Sequence, residues 1–220
     1  MPIHQLKKIK AVLFDLDGTL VENGSIQKDA TRQTLDFFGI NITMNEFTQK
    51  YSNKEYIQVE KELIEDFRLN AKQGDITNKR KEIVLRLLST RETKCTYFAK
   101  ELLQYLYKKY PLAICSAGER EEVYLKLKNN NLLKYFKKIV SAGDVEKSKP
   151  HPDIYLKGAF DLGFKTEKCL AFEDTTMGVL AAKRAGTLCF AVPSKGEEDF
   201  SLADKVLDSL KDAYDILKSI

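Results

Sequence analysis

Short apolar runs alternate along the chain with segments of helical periodicity. Four runs are largely apolar and do not alternate with polar positions: Lys10–Phe14, Leu112–Cys115, Lys168–Phe172 and Thr187–Val192. Such runs are typical of strands that are buried on both faces of a parallel sheet. Between them, apolar residues recur at spacings of three and four, as in residues 98–107, which predicts amphipathic helices. Strands that alternate with helices predict an α/β fold with a doubly wound parallel sheet.

The stretch between the first and second runs has a different pattern. Residues 21–93 contain no convincing strand, and their periodicity predicts helices over Asp29–Phe38, Asn45–Asn70 and Thr77–Leu88. A connection from strand to helix usually takes about 2–6 residues, so a segment of this size is more than a loop. We therefore predict an α/β core made of residues 1–20 and 94–220, and a small helical cap domain inserted as residues 21–93.

Composition favours a soluble globular protein. Hydrophobic residues make up 43% of the chain, and the mean hydropathy is −0.35. No apolar run approaches the roughly 20 residues that cross a bilayer. The first apolar run ends at Asp15 after only a few residues, which argues against a signal peptide. We expect a cytoplasmic protein without a membrane partner.

Charge and cysteine spacing do not favour a nucleic-acid partner or a cysteine metal site. The 36 basic and 32 acidic residues give a net charge of +4, and the two signs are interspersed rather than gathered into a basic stripe. This pattern does not favour nucleic-acid binding, although it is compatible with a small anionic substrate. The four cysteines show no CxxC spacing and are interpreted as small apolar residues.

Polar side chains follow the predicted strands at the points where open α/β sheets bind their ligands. They are Asp15 and Asp17 in DLDGT, Ser116 in ICSAG, Lys149 in KSKPHPD, and Glu173 with Asp174 in FEDT. Two carboxylates after a buried strand repel each other unless a cation lies between them or one holds a proton. Because Mg²⁺ prefers oxygen ligands, the pattern predicts a magnesium site.

Each of these residues also has an ordinary structural explanation. Asp-Gly sequences are common in turns, Ser116 is placed to cap the following helix, and Glu173 and Asp174 suit a helix N-terminus. A lone lysine is usually solvated, but Lys149 precedes a proline that restricts its backbone, whereas Lys147 does not. The joint occurrence of all these groups in one order favours a functional site.

The motifs VLFDLDGTL, ICSAG, VSAGDVEKSKPHPD and CLAFEDTTMGV resemble those of the haloacid dehalogenase-like (HAD) superfamily. The likeness is greatest to its capped phosphatase and β-phosphoglucomutase-like branch, and it spans nearly the whole chain. It implies a Rossmann-like core with a cap, and magnesium-dependent phosphoryl transfer.

The resemblance also implies a role for each matching residue. Asp15 is the nucleophile that becomes an aspartyl-phosphate, Asp17 is the general acid and base, and Thr19 supports the orientation of Asp17. The phosphate-binding residues are Ser116, Ala117 and Lys149, and the magnesium ligands are Asp15, the Asp17 backbone carbonyl, Asp174 and Glu173. The dehalogenases of the superfamily lack the second aspartate, so the presence of Asp17 favours phosphoryl transfer.

The cap bears on the choice between phosphatase and sugar phosphomutase. The histidine expected of a mutase is absent after the first motif, and the expected arginine is absent near Asn53 and Lys54. Lys81 matches a lysine that contacts substrate in that branch. We expect these three cap residues, Lys81, Asn53 and Lys54, to determine substrate specificity. We therefore expect a monomeric phosphatase that acts on a small phosphorylated metabolite, such as a sugar phosphate. A β-phosphoglucomutase-like mutase is the alternative, and a receiver-type signalling domain or a silent binding protein fits less well.

Overall fold

The computed structural model describes residues 3–22, 24–51, 54, 56–194 and 199–219. The chain divides into two compact units, one made of Met1–Glu22 with Thr93–Ile220 and one made of Asn23–Glu92. None of the helices within the described residues is long and apolar enough to cross a membrane.

The described strands are β1 Ala11–Phe14, β2 Val21–Glu22, β3 Lys94–Cys95, β4 Leu112–Cys115, β5 Lys138–Val140, β6 Cys169–Glu173, β7 Leu188–Ala191 and β8 Lys205–Val206. Six of them form one sheet in the order β5-β4-β1-β6-β7-β8, with every neighbouring pair parallel. The predicted α/β fold with a parallel sheet is confirmed. Strand β1 lies between β4 and β6, which brings the carboxyl ends of these three strands to one edge.

The described helices are α1 Ile3–Leu6, α2 Gly24–Phe37, α3 Met44–Tyr51, α4 Tyr56–Asp66, α5 Asp75–Thr90, α6 Ala99–Tyr107, α7 Arg120–Asn129, α8 Asp153–Leu162, α9 Thr176–Arg184 and α10 Leu210–Lys218. Those of the larger unit cover both faces of the sheet. Val12 and Phe14 of β1 belong to a core with residues of α6, α7 and α10, whereas Ala11 and Leu13 belong to a core with residues of α8 and α9. Burial on both faces explains why β1 has no polar alternation.

The two strands at the margins of the sheet were not predicted. Strand β5 has only three residues and begins with the exposed Lys138, and β8 has two exposed residues. Charged and short strands are common at sheet edges, where they prevent pairing with other chains. Neither strand therefore forms the buried apolar run that marks a central strand.

The smaller unit contains α2 to α5, and the predicted continuous helix over Asn45–Asn70 is wrong. The chain instead forms α3 and α4, and the Tyr51 hydroxyl donates to Asp66 Oδ2 at 2.7 Å. In one continuous helix these two residues would be separated by roughly 22 Å along the axis. The chain reverses because both helices carry apolar side chains that pack in one core, among them Val59 and Leu63.

Strands β2 and β3 pair where the chain leaves and re-enters the larger unit. They form an antiparallel pair in which Val21 lies opposite Cys95. The Thr96 hydroxyl adds a hydrogen bond to the Thr19 carbonyl at 2.6 Å. These contacts attach the loop after β1 to the segment that follows the smaller unit in the chain.

Helix α8 packs so closely on β4 that only glycine fits at position 158. A Cβ added to Gly158 would lie 2.5 Å from Cys115 Sγ. We expect Gly158→Ala to lower the free energy of unfolding by about 1–3 kcal/mol, because overpacking displaces the helix or the strand. Urea denaturation followed by circular dichroism measures the change.

Adding Cys115→Ala to this variant should recover part of the loss, because it removes the sulfur atom that the new methyl group meets. Gly143→Ala is the control, since a Cβ there meets nothing within 4 Å. Equal stability of the Gly158 and Gly143 variants would contradict the packing argument.

Candidate active site

Acidic residues from two neighbouring strands meet at the carboxyl edge of the sheet. Asp15 follows β1, Glu173 ends β6 and Asp174 follows it, so the parallel pairing of β1 with β6 places them together. One carboxylate oxygen from each of the three residues lies within 4.8 Å of the others. All three residues are buried. This edge is therefore strongly negative.

Lys149 supplies positive charge beneath this cluster. Its Nζ lies 2.6 Å from Asp15 Oδ1 and 2.6 Å from Glu173 Oε1, and its side chain is 7% exposed. Burial alone would lower the pKa of Lys149, but the carboxylates of Asp15 and Glu173 outweigh it and raise that pKa. Lys149 therefore stays an ammonium ion, whereas Lys147 is exposed to solvent.

Tyr155 is a member of the site that sequence reasoning missed. It lies in the first turn of α8, is fully buried, and its hydroxyl donates to Glu173 Oε1. Burial and the nearby Glu173 raise the pKa of Tyr155 well above its ordinary value, so the hydroxyl keeps its proton. Gly178 of α9 leaves room for this carboxylate, because a Cβ there would lie 2.0 Å from Glu173 Cδ.

Asp174 is held by the loop after β1 and by Ser194. The Ser194 hydroxyl donates to Asp174 Oδ2 at 2.7 Å. Gly18 has a φ of +89°, and a Cβ there would lie 1.9 Å from the same oxygen. Only glycine combines this backbone conformation with so close an approach. The glycine in DLDGT thus lets the second acidic segment approach the first.

The donor set fits a hard divalent cation. Burial and the charge of Asp15 raise the pKa of Glu173 and of Asp174, and the charge of Glu173 adds to the rise at Asp174, so Lys149 does not fully compensate the negative charge of the cluster. Asp15 Oδ2 is buried and has no hydrogen-bond partner within the described residues. Oxygen ligands and excess negative charge are what Mg²⁺ requires, so Asp15, Glu173 and Asp174 are suited to hold it.

Asp17 faces a second buried lysine, which sequence reasoning also missed. Lys126 of α7 is fully buried, and its Nζ lies 2.8 Å from Asp17 Oδ1. The Asp17 side chain keeps 26% of its surface exposed. Burial raises the pKa of Asp17 and the charge of Lys126 partly offsets that rise. Lys126 gave no signal in the sequence because a lysine in the middle of a charged helix is usually solvated.

The predicted phosphate-binding loop follows β4. Ser116 is 1% exposed, and the Gly118 backbone N–H donates to its hydroxyl at 3.1 Å. Ser116 does not cap α7, whose N-cap is Glu119. Ala117 is exposed in the same loop. Ser116 and Asp17 both lie close to Gly118. A Cβ added to Gly118 would lie 3.3 Å from Ser116 Oγ and 3.6 Å from Asp17 Oδ2.

Thr19 is buried in the loop after β1. Its carbonyl accepts from Thr96, whereas its hydroxyl has no hydrogen-bond partner among the residues described here. A hydrogen bond from this hydroxyl to Asp17 is therefore absent from this structure. The supporting role expected of Thr19 remains a prediction.

The smaller unit contains a cavity of about 260 Å³ among its helices. Lys54 lines this cavity, and its Nζ lies 2.5 Å from Glu62 Oε2. Arg80 lines it as well, whereas the adjacent Lys81 is half-buried and does not. Asn53, the third residue predicted for substrate specificity, lies outside the described residues.

The fold and the site together are typical of hydrolases of α/β fold that place acidic residues and a buried lysine at the carboxyl edge of a parallel sheet. The family model of the haloacid dehalogenase-like hydrolases matches residues 12–192, which is most of the chain. The protein therefore belongs to the haloacid dehalogenase-like hydrolase family and is a hydrolase, as its motifs predicted.

Several relatives of the chain are named as phosphatases, among them one from a plant and one from a bacterium. The bifunctional riboflavin kinase/FMN phosphatase of Arabidopsis thaliana is 32% identical over 216 residues, covering 95% of this chain and 56% of that protein. The chain thus spans little more than half the length of that relative. The phosphorylated carbohydrates phosphatase of Thermotoga maritima is 28% identical over 183 residues, covering 81% of this chain and 82% of that protein.

Solved structures show the same fold. The crystal structure of CbbY from Rhodobacter sphaeroides in complex with phosphate has a TM-score of 0.81 and 24% identity, and the match covers 91% of this chain and 94% of that one. This likeness supports the fold of the part of the chain that the match covers.

Tyr155→Phe tests the contact beneath the acidic cluster. Removal of the hydroxyl deprives Glu173 Oε1 of one of its two partners, the other being Lys149, and we expect a loss of about 1.5–3 kcal/mol in the free energy of unfolding, the usual value of a hydrogen bond to a charged group. Urea denaturation at pH 7 measures it. Tyr124→Phe, at a residue that is 49% exposed, is the control. Equal effects of the two substitutions would exclude the contact with Glu173.

Proposed function

We propose that the protein is a magnesium-dependent phosphatase that hydrolyses a small phosphomonoester through an aspartyl-phosphate intermediate on Asp15. The observation that carries the proposal is the state of Asp15 itself. One carboxylate oxygen is held by Lys149, and the other is buried without a hydrogen-bond partner in the described part of the chain. An anchored carboxylate with one uncommitted oxygen is suited to nucleophilic attack on phosphorus.

The first step transfers the phosphoryl group to the enzyme. A bond forms between the Asp15 carboxylate and phosphorus, and the bond from phosphorus to the leaving oxygen breaks. Lys149 and Ser116, with the backbone of Ala117, bind the phosphoryl oxygens and neutralise the charge that develops on them. The Lys149 ammonium is already in place, because its two ion pairs orient it towards the nucleophile.

The metal would be held by the Asp15 side chain, the Asp17 backbone carbonyl, Asp174 and Glu173. When bound, Mg²⁺ neutralises the carboxylates and the phosphoryl group and so permits the approach of two anions. Glu173 has a second task in this arrangement, since its Oε1 already holds Lys149 and Tyr155.

Asp17 serves as the general acid and base. It donates a proton to the leaving oxygen in the first step. In the second step it accepts a proton from the water that attacks phosphorus, while the bond between Asp15 and phosphorus breaks and inorganic phosphate leaves. The raised pKa of Asp17 favours its protonated form, which is the form that the first step requires. An alkoxide leaving group needs this proton, which explains why a second aspartate accompanies the nucleophile.

The smaller unit, residues 23–92, is proposed to act as the cap that selects the substrate. Lys54, Lys81 and Asn53 are the residues assigned to this task, and the phosphatases named above support a small phosphorylated metabolite as the substrate. The missing histidine and arginine still favour a phosphatase over a phosphomutase. A mutase would convert one sugar phosphate into its isomer without releasing phosphate, so a phosphate-release assay separates the two.

Asp15→Asn should lower the turnover of p-nitrophenyl phosphate by at least about 10³-fold, because an amide is not a nucleophile of comparable strength. The fold should persist, since the amide oxygen still accepts from Lys149. Phosphate release with Mg²⁺ and with EDTA measures turnover, and EDTA should abolish it. Asp215→Asn, on an exposed side chain of α10, is the control. Full activity of the Asp15 variant would show that Asp15 is not the nucleophile.

Lys81→Ala should raise KM for the best substrate of a phosphorylated-metabolite panel more than KM for p-nitrophenyl phosphate. The reason is that a cap residue contacts the part of the substrate beyond the phosphate. Steady-state kinetics on both substrates measures the difference, and Lys61→Ala, on an exposed lysine of α4, is the control. Equal changes in both KM values would remove Lys81 from substrate selection.

A further inference from the structure

Lys126 is the most completely buried cation of the site. It lies on α7 between the buried apolar residues Val123 and Leu127, and its side chain has 0% exposure. Lysine is almost never fully buried unless it is paired, because removing an ammonium ion from water is costly. An aliphatic residue at this position would complete the core at lower cost, so packing alone does not account for a lysine.

The partner of Lys126 is the proposed acid and base. Nζ lies 2.8 Å from Asp17 Oδ1, and it lies farther, at 3.7 Å, from Glu122 Oε2 on its own helix. The shorter contact joins α7 to the loop after β1, two elements that are far apart in the chain. The preference for Asp17 over the neighbouring Glu122 indicates that the lysine is directed at the site.

The contact of 2.8 Å is made by Oδ1 of Asp17. Oδ1 faces Lys126, whereas Oδ2 lies on the side of the Ser116 loop, 3.6 Å from the position of a Cβ on Gly118. The Asp17 side chain retains partial exposure while Lys126 has none, so the lysine contacts the inner side of the carboxyl group. An anchored inner oxygen fixes the direction in which the outer oxygen points.

We propose that Lys126 is a positioning residue that holds Asp17 through Oδ1 and presents Oδ2 to the leaving oxygen of the substrate. This inference rests on the proposed function, in which Asp17 transfers the proton. The site would then contain two buried lysines with separate tasks. Lys149 orients the nucleophile and Lys126 orients the acid.

Leaving-group dependence tests this role, because only poor leaving groups need a well-placed acid. In Lys126→Met, kcat/KM for an unactivated alkyl phosphate should fall at least about 10-fold more than kcat/KM for p-nitrophenyl phosphate, as expected when part of a general-acid contribution is lost. Lys126→Gln keeps a hydrogen-bond donor and should recover part of the alkyl phosphate activity. Lys128→Met, on an exposed lysine of the same helix, should change neither value.

A merely structural role would lower both kcat/KM values equally, and that result would overturn the proposal. The Asp17→Asn background gives a second check, since adding Lys126→Met there should cause no further loss on the alkyl phosphate. An additional loss of the same size in that background would show that Lys126 does not act through Asp17.

Failure of the proposed function would be recognised separately, as absence of Asp15-dependent turnover in the unmodified protein. The contact itself is then judged by the urea midpoints of the unsubstituted protein, Lys126→Met, Asp17→Asn and the double variant. The shift in the double variant should differ from the sum of the two single shifts if Lys126 and Asp17 interact. Additive shifts would overturn the pairing whatever the activity.

Discussion

The buried ion pairs of Lys149 with Asp15 and Glu173 are the interaction on which the site depends. Three buried carboxylates at one sheet edge would repel each other and take up protons if no cation were present. Removing one member of such a group leaves an uncompensated buried charge, which typically costs about 3–5 kcal/mol. Lys149 also leaves one oxygen of Asp15 uncommitted. The same contact therefore stabilises the cluster and, in the proposed function, orients Asp15 for nucleophilic attack.

Close packing around the cluster makes this arrangement possible. Gly18 admits Asp174, Gly178 admits the carboxylate of Glu173, and Tyr155 donates to that carboxylate from helix α8. These contacts join the loop after β1, the first turns of α8 and α9, and the end of β6. Their common origin is the central place of β1, which has β4 on one side and β6 on the other. The topology brings the groups together, and the glycines let them approach to contact distance.

The parts that could be predicted from sequence are those that leave a local pattern. Central strands form apolar runs because both of their faces are buried, and the polar residues at their ends mark the site. Strand β5 has no such run because it lies at an edge of the sheet, and the break between α3 and α4 follows from packing within the smaller unit. Lys126 and Tyr155 lie on helices where lysine is ordinarily solvated and tyrosine belongs to the core. Only the tertiary packing of those helices reveals their partners.

The most direct test of the account is to identify the residue that carries phosphate during turnover. The protein would be mixed with a phosphomonoester labelled in its phosphoryl group and with Mg²⁺, quenched in acid within the first turnover, and digested for peptide mapping. We expect label on the peptide that contains Asp15, and none when Asp15→Asn is used. Label on another residue, such as Ser116, or phosphate release without any labelled protein, would contradict it.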